Sequence, residues 1–217
     1  MPKKNAGPQR GRPRQLSEAE RRLRLIDAAE DVFLAAGFAD ATMDEVAERA
    51  GMSKKTLYQH FATKEALFAA MIAERTDKLI AEIKADDGER TPQEVLEAFM
   101  GRVAQFCLAP RQIAMHRLVV AEATRSPELA RAFMRAGEGR AKPKLVKWLP
   151  LQRSLGTVTA KDAEQVGGML MGMIVGELCM KLLFGIGRPP SKREIDRRVK
   201  RAVDIFLHGY RGSGQTA

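Results

Sequence analysis

Helix-start signals recur along this chain, and strand signals do not. Ser17 is followed three residues later by Glu20, Thr42 by Glu45, Thr91 by Glu94 and Ser191 by Glu194. In such a capping box the hydroxyl and the carboxylate each take up a backbone N–H that the first helical turn leaves unpaired. Pro92 stands at the first helical position after Thr91, where its missing N–H costs nothing. Ser126-Pro127 and Thr159 with Asp162 add two further candidate N-caps. Apolar–polar alternation over the length of a strand is absent. The chain is therefore expected to be all-α, with about nine helices near 17–36, 42–50, 53–60, 64–84, 92–108, 111–125, 127–150, 160–184 and 192–208. The tails 1–16 and 211–217 are expected to be disordered.

Composition narrows the class. With 217 residues, 45% hydrophobic and 29% charged, the chain has the makeup of a globular protein with a core large enough to fold unaided. A formal charge of +10 favours polyanionic partners. Eight cations, from Lys3 to Arg24, crowd the first 24 residues against Glu18 and Glu20. A second basic cluster runs from Arg188 to Arg201, so charge alone does not locate a nucleic-acid site. Cys107 and Cys179 are isolated, with no CxxC pair and no Cys/His cluster, which argues against a zinc site or a disulfide framework. The N-terminus lacks an apolar signal core. The longest apolar run, Val166 to Leu183, is broken by Glu177 and Lys181 and makes a poor membrane span. A cytoplasmic protein without membrane contact is expected. No phosphate loop, nucleophile elbow, HExxH or convergent carboxylate pair points to catalysis, and no cofactor is implied.

The segment 42–61 carries the most specific local pattern. Val46, Ala47 and Ala50 give a first short helix a small inner face, and Gly51-Met52 makes a tight turn. Leu57 and Phe61 anchor a second short helix, leaving Lys54, Lys55 and Gln59 on its opposite side, with Thr56 and Tyr58 flanking. A short helix with a polar, basic outer face can enter a DNA major groove. Ser53 caps it and leaves its first N–H groups directed toward a phosphate.

From Ile26 to Ile72 the chain reads IDAAEDVFLAAGFADATMDEVAERAGMSKKTLYQHFATKEALFAAMI. Ala28-Ala29, Phe33, Gly37-Phe38, Thr42, Val46-Ala47, Ala50-Gly51, Ser53, Thr56-Leu57-Tyr58, His60-Phe61 and Lys64-Glu65 stand at fixed spacing. This stretch resembles the DNA-binding domain of the tetracycline-repressor (TetR) family. The resemblance covers roughly residues 17–72; beyond it, only the succession of helices matches. It implies a helix-turn-helix domain over 17–63 that binds a double-stranded DNA operator, and a ligand-binding and dimerisation domain over 64–217. It also implies that Lys54, Lys55, Thr56 and Tyr58 meet bases or phosphates, and that Thr42 and Lys64 meet the DNA backbone. His60 either meets DNA or supports the packing of its helix, and Tyr58 is open between DNA contact and core.

The arm 1–16 contains Arg10-Gly11-Arg12-Pro13-Arg14, which resembles an AT-hook core. Either Arg12 and Arg14 enter a narrow minor groove, or the arm is a solvated basic tail that attracts phosphates without selectivity.

Two helices are candidates for holding a homodimer. Gly168, Gly172 and Gly176 recur every four residues as a smooth stripe, and Val199, Val203 and Phe206 form an apolar stripe on the last helix. The family's four-helix dimer interface would use both; a purely intrachain core is the other reading. A small-molecule effector, which the resemblance implies, would sit among Phe99, Met100, Val103, Phe106, Met115, His116, Val119, Met169 and Met173, with Glu122 or His116 as polar contact. The same residues would equally serve as plain core. Glu177 is either buried beside the glycine stripe or paired at the surface with Lys181. The expected function is a sequence-specific transcriptional regulator, a repressor released by ligand. A DNA-binding regulator or architectural protein without ligand control is the alternative.

Overall fold

A computed structural model describes residues 16–82, 90–137 and 163–211, with two isolated helical positions at 139 and 143. Arg12 and Arg14, the arm around them and the Thr159 cap lie outside the described residues. Nine helices and no strand occur among those described: α1 (Glu18–Ala36), α2 (Met43–Arg49), α3 (Lys54–His60), α4 (Lys64–Glu82), α5 (Pro92–Cys107), α6 (Pro110–Glu122), α7 (Pro127–Ala136), α8 and α9 (Lys192–Arg211). Helix α8 starts as Ala163–Met171, passes through a π-helical turn at Gly172–Gly176 and continues as Glu177–Leu183.

The capping boxes form as the spacing dictates. Ser17, Thr42 and Thr91 each accept from the N–H three residues on, and the glutamate there accepts from the cap backbone. Ser191 and Glu194 make the same reciprocal pair. Ser126 does not cap with its side chain; α7 relies on Pro127 at its first position. Helix α7 ends at Ala136, where the Gly137 N–H bonds the Phe133 carbonyl, and most of the remainder of the helix expected over 127–150 lies outside the described residues.

Helix α1 buries a wider face than a single stripe. Leu25, Ile26, Ala28, Ala29, Val32 and Phe33 are buried, whereas Leu23 and Ala36 of the same helix are exposed. The reason is that α1 is gripped by α2, α4 and α6 together. Gly37 then turns the chain with φ of +83°, a region that favours glycine. Phe38 folds back against Phe33 and Phe68, with ring centroids 5.4 and 5.5 Å apart.

The buried apolar residues fall into two cores. The first joins α1, α2 and α3 to Leu67, Phe68, Met71 and Ile72 of α4, to Met115 and Val119 of α6, and to Leu129 and Phe133 of α7. No break in packing therefore coincides with the boundary expected at 63/64. The second core joins α5, α8 and α9 with Ile113 of α6. Helix α6 alone among the described helices contributes buried residues to both.

Candidate nucleic-acid interface

The turn between α2 and α3 is built by three backbone bonds: Ala50 N–H to Val46, Gly51 N–H to Glu48 and Met52 N–H to Ala47. Gly51 has φ of +63°, which its lack of a side chain makes inexpensive. Leu57 is fully buried and Phe61 nearly so, fixing one side of α3 to the first core. The Arg22 guanidinium lies over the Phe61 ring, 5.5 Å from its centroid, and pairs with Glu74 of α4 at 3.3 Å.

With that side anchored, Lys54, Lys55, Tyr58 and Gln59 are exposed and Thr56 and His60 half-buried. Tyr58 is 51% exposed, so it belongs to the outer face and not to the core. Lys54 forms a salt bridge with Asp44 in the first turn of α2, which brings the starts of α2 and α3 side by side. Among the described residues Lys55 forms no ion pair. Thr42 is exposed at the start of α2, its hydroxyl donating to Glu45 at 2.9 Å. That bonding, first from the Thr42 backbone and then from its hydroxyl, lowers the Glu45 carboxyl below the ordinary carboxylate range. The Ser53 hydroxyl accepts from the Thr56 N–H and shares a 2.9 Å bond with the Thr56 hydroxyl, so the two side chains satisfy each other.

Lys64 requires a correction. Its ammonium does not point outward to phosphate. It bonds the carbonyl oxygens of Phe38, Ala39 and Ala41 at 2.6, 2.9 and 2.8 Å and lies 4.7 Å from the centroid of the Phe38 ring. An ammonium has three N–H donors, and all three are taken. Lys64 fastens the α1–α2 loop to α4 and thereby sets the entry of α2.

Among the described residues, the expected ligand-lining side chains are divided between the two cores and the surface. Phe99 and Met100 belong to the second core, Met115 and Val119 to the first. Met100, Val103, Met115 and Val119 are buried, and Phe106, His116 and Glu122 half-buried. Met169 and Met173 are 53% and 37% exposed. The His116 ring bonds the Gln112 carbonyl at 2.7 Å and meets the Phe133 ring edge-on at 4.9 Å. The dimer candidates also divide. Val199, Val203 and Phe206 are buried in the chain's own second core, because α9 turns its apolar face onto α5. The open apolar face lies on α8, where Gly168, Gly172 and Gly176 leave free space for a side chain and Met169, Met173 and Met180 are exposed. Glu177 is a surface residue, paired with Lys181 at 2.7 Å and Arg198 at 3.1 Å.

Sequence reasoning missed the ion cluster behind the reading unit. Glu30 of α1 is buried and accepts from Arg75 of α4 at 2.6 Å and Arg111 of α6 at 3.1 Å. Arg75 also bonds Asp27 at 2.6 Å, Arg111 bonds Asp31 at 2.7 Å, and Arg49 of α2 reaches Asp31 at 3.4 Å. Burial opposes the charge on Arg75, yet the bonds to Asp27 and Glu30 outweigh it and raise its pKa. The Arg111 hydrogen bond lowers the Asp31 carboxyl. The available signal was a carboxylate placed four residues after Ile26 and three before Phe33, on the apolar side of α1.

Two family models match. Residues 25–71 fit the bacterial regulatory proteins of the tetR family, and residues 94–212 fit the AefR-like transcriptional repressor C-terminal domain. The chain belongs to the TetR family of transcriptional regulators. Among curated relatives, the transcriptional activator FasR of Mycolicibacterium smegmatis is 38% identical over 102 residues, covering 45% of this chain and 46% of that one. The match thus spans about half the length of this relative. A TetR-family regulator from Mesorhizobium loti MAFF303099 shares the fold with a TM-score of 0.76 at 24% identity, over 90% of this chain and 99% of that one. The flavonoid-responsive regulator FrrA superposes with a TM-score of 0.73 at 26% identity, over 88% and 97%. Among the described residues no helix is long and apolar enough to cross a membrane, and no group of His, Cys, Asp and Glu could hold a metal ion.

Proposed function

We propose that this TetR-family chain acts in the cytoplasm as a homodimeric repressor, not an enzyme, that reads a palindromic operator through α3 and leaves it when a small molecule binds the helical bundle. The observation that carries the reading is the two-sided character of α3: Leu57 and Phe61 are buried, while Lys55, Tyr58 and Gln59 stand free on the outside. Lys55 and Tyr58 supply base or phosphate contacts, and Thr42, Ser53, Lys54, Thr56 and His60 border them. Two such helices must lie about 34 Å apart to enter successive major grooves on one side of the duplex. The open glycine and methionine face of α8 supports pairing of two copies there. The half-buried His116 and Glu122 support a polar contact to the effector, and the flavonoid responsiveness of FrrA supports an aromatic, largely apolar one.

Selection of duplexes from a random library, followed by titration of the enriched sequence and a scrambled control, tests the reading. A twofold-symmetric sequence preferred by about a thousandfold or more over random DNA is expected. Equal, salt-dependent affinity for both would overturn it in favour of an architectural role. A regulator without ligand control is the second reading, favoured by the filling of both cores by Met100 and Met115. Thermal-shift screening with flavonoids and other aromatic compounds, followed by operator titration with each hit, separates the two: hits that stabilise the protein and weaken operator binding favour ligand control.

A further inference from the structure

Helix α6 holds two different parts of the molecule through two arginines six residues apart. At its first turn, Arg111 bonds Glu30 at 3.1 Å and Asp31 at 2.7 Å, both on α1. Asp31 in turn receives Arg49 at the end of α2, directly before the turn into α3. Further along, Arg117 donates to the carbonyl oxygens of Leu182 and Leu183 at 2.5 and 3.1 Å, at the end of α8. Six residues are about 9 Å along a helix and about 120° around it, so the two side chains leave α6 in different directions. Between and beside them, Ile113 is buried in the second core and Met115 and Val119 in the first.

We propose that α6 is a strut that fixes the reading unit relative to the α8 face, making Arg111 and Arg117 positioning residues that set which operator half-site spacing the dimer accepts. The inference rests on the dimeric operator-binding reading above. If two copies pair through α8, every reading helix is located from that face through α8, Arg117, α6, Arg111, α1 and α2. Neither arginine lies on the outer face of α3, so neither needs to touch DNA to act. Arg111 is suited to its end because a guanidinium can serve two carboxylates at once, which a lysine ammonium does with poorer geometry.

The test measures binding of the full-length wild type, Arg111→Gln, Arg111→Lys and Arg117→Gln to duplexes carrying the selected half-sites at the selected spacing and at one and two base pairs more or fewer. Sedimentation and circular dichroism of each variant accompany it. The wild type should prefer one spacing. Both glutamine variants should remain dimeric and helical yet lose on the order of tenfold of that preference, with Arg111→Lys between. Glutamine variants that keep the wild-type spacing profile, or that weaken every spacing equally, would overturn the strut and leave the operator-binding reading standing. A wild type that selects no paired half-sites would overturn both.

Discussion

The Lys64 ammonium lies 2.6 Å from the carbonyl oxygen of Phe38 and completes a three-carbonyl clasp over the loop between α1 and α2. Lys64→Met should keep the stem packed on Phe38 but strand those oxygens. A loss of about 2 kcal/mol in urea unfolding is expected, the scale of a charged hydrogen-bonding group removed from a partly buried site. The salt dependence of operator binding should be unchanged. A fall in its slope of about 0.9 would mean that Lys64 neutralises a phosphate after all.

Lys54 and Lys55 are neighbours with different surroundings, since only Lys54 has a carboxylate partner, Asp44. Lys55→Ala is expected to weaken operator binding by about 1–3 kcal/mol if the side chain reads a base. Lys54→Ala should cost less, because DNA must compete with Asp44 for that ammonium. Fluorescence titration at one fixed salt concentration orders the two variants, and a larger effect at Lys54 would reverse the assignment.

Gly172 and Val203 make a contrasting pair. A side chain at Gly172 meets nothing within 4 Å in the chain, whereas Val203 is fully buried beneath α5. Gly172→Leu should leave the fold intact and shift sedimentation toward monomer by overpacking the α8 face. Val203→Ala should lower stability by about 2 kcal/mol and leave the dimer assembled. Exchange of these two outcomes would return the interface to α9.

Glu194 is held down to about 2 by Arg188 first and then by the Ser191 backbone and hydroxyl, against an ordinary value of 4.5. Because the folded form favours the charged carboxylate, its stabilising effect is complete above about pH 4.5 and is lost as pH falls toward 2. Melting curves of the wild type and Glu194→Gln should therefore differ at neutral pH and converge in acid. A constant offset across that window would remove Glu194 from the acid response.

Local chemistry was legible in the sequence wherever the partners were close in the chain. The boxes at Ser17, Thr42, Thr91 and Ser191 need only a glutamate three residues on, and the faces of α3 follow from Leu57 and Phe61. Lys64 was not legible, because its fate depends on carbonyls 23 to 26 residues away. The apolar stripe of Val199, Val203 and Phe206 says that α9 packs, but periodicity does not distinguish a neighbour in the same chain from one in another. The methionines and phenylalanines assigned to a ligand site share a composition and not a location. Glu30 stood on the apolar side of α1, but its arginines come from α4 and α6, which only the tertiary fold brings together.

The first core runs without interruption from Leu57 of α3 to Phe133 of α7. A reading unit that shares its interior with the bundle is not a portable cassette. Grafting residues 17–72 onto another member's regulatory domain would require that domain to present counterparts of Met115, Val119, Leu129 and Phe133. Such exchanges between homologues should succeed or fail according to those four positions, and divergence of α6 and α7 is constrained by the packing of α1, α2 and α3 against them.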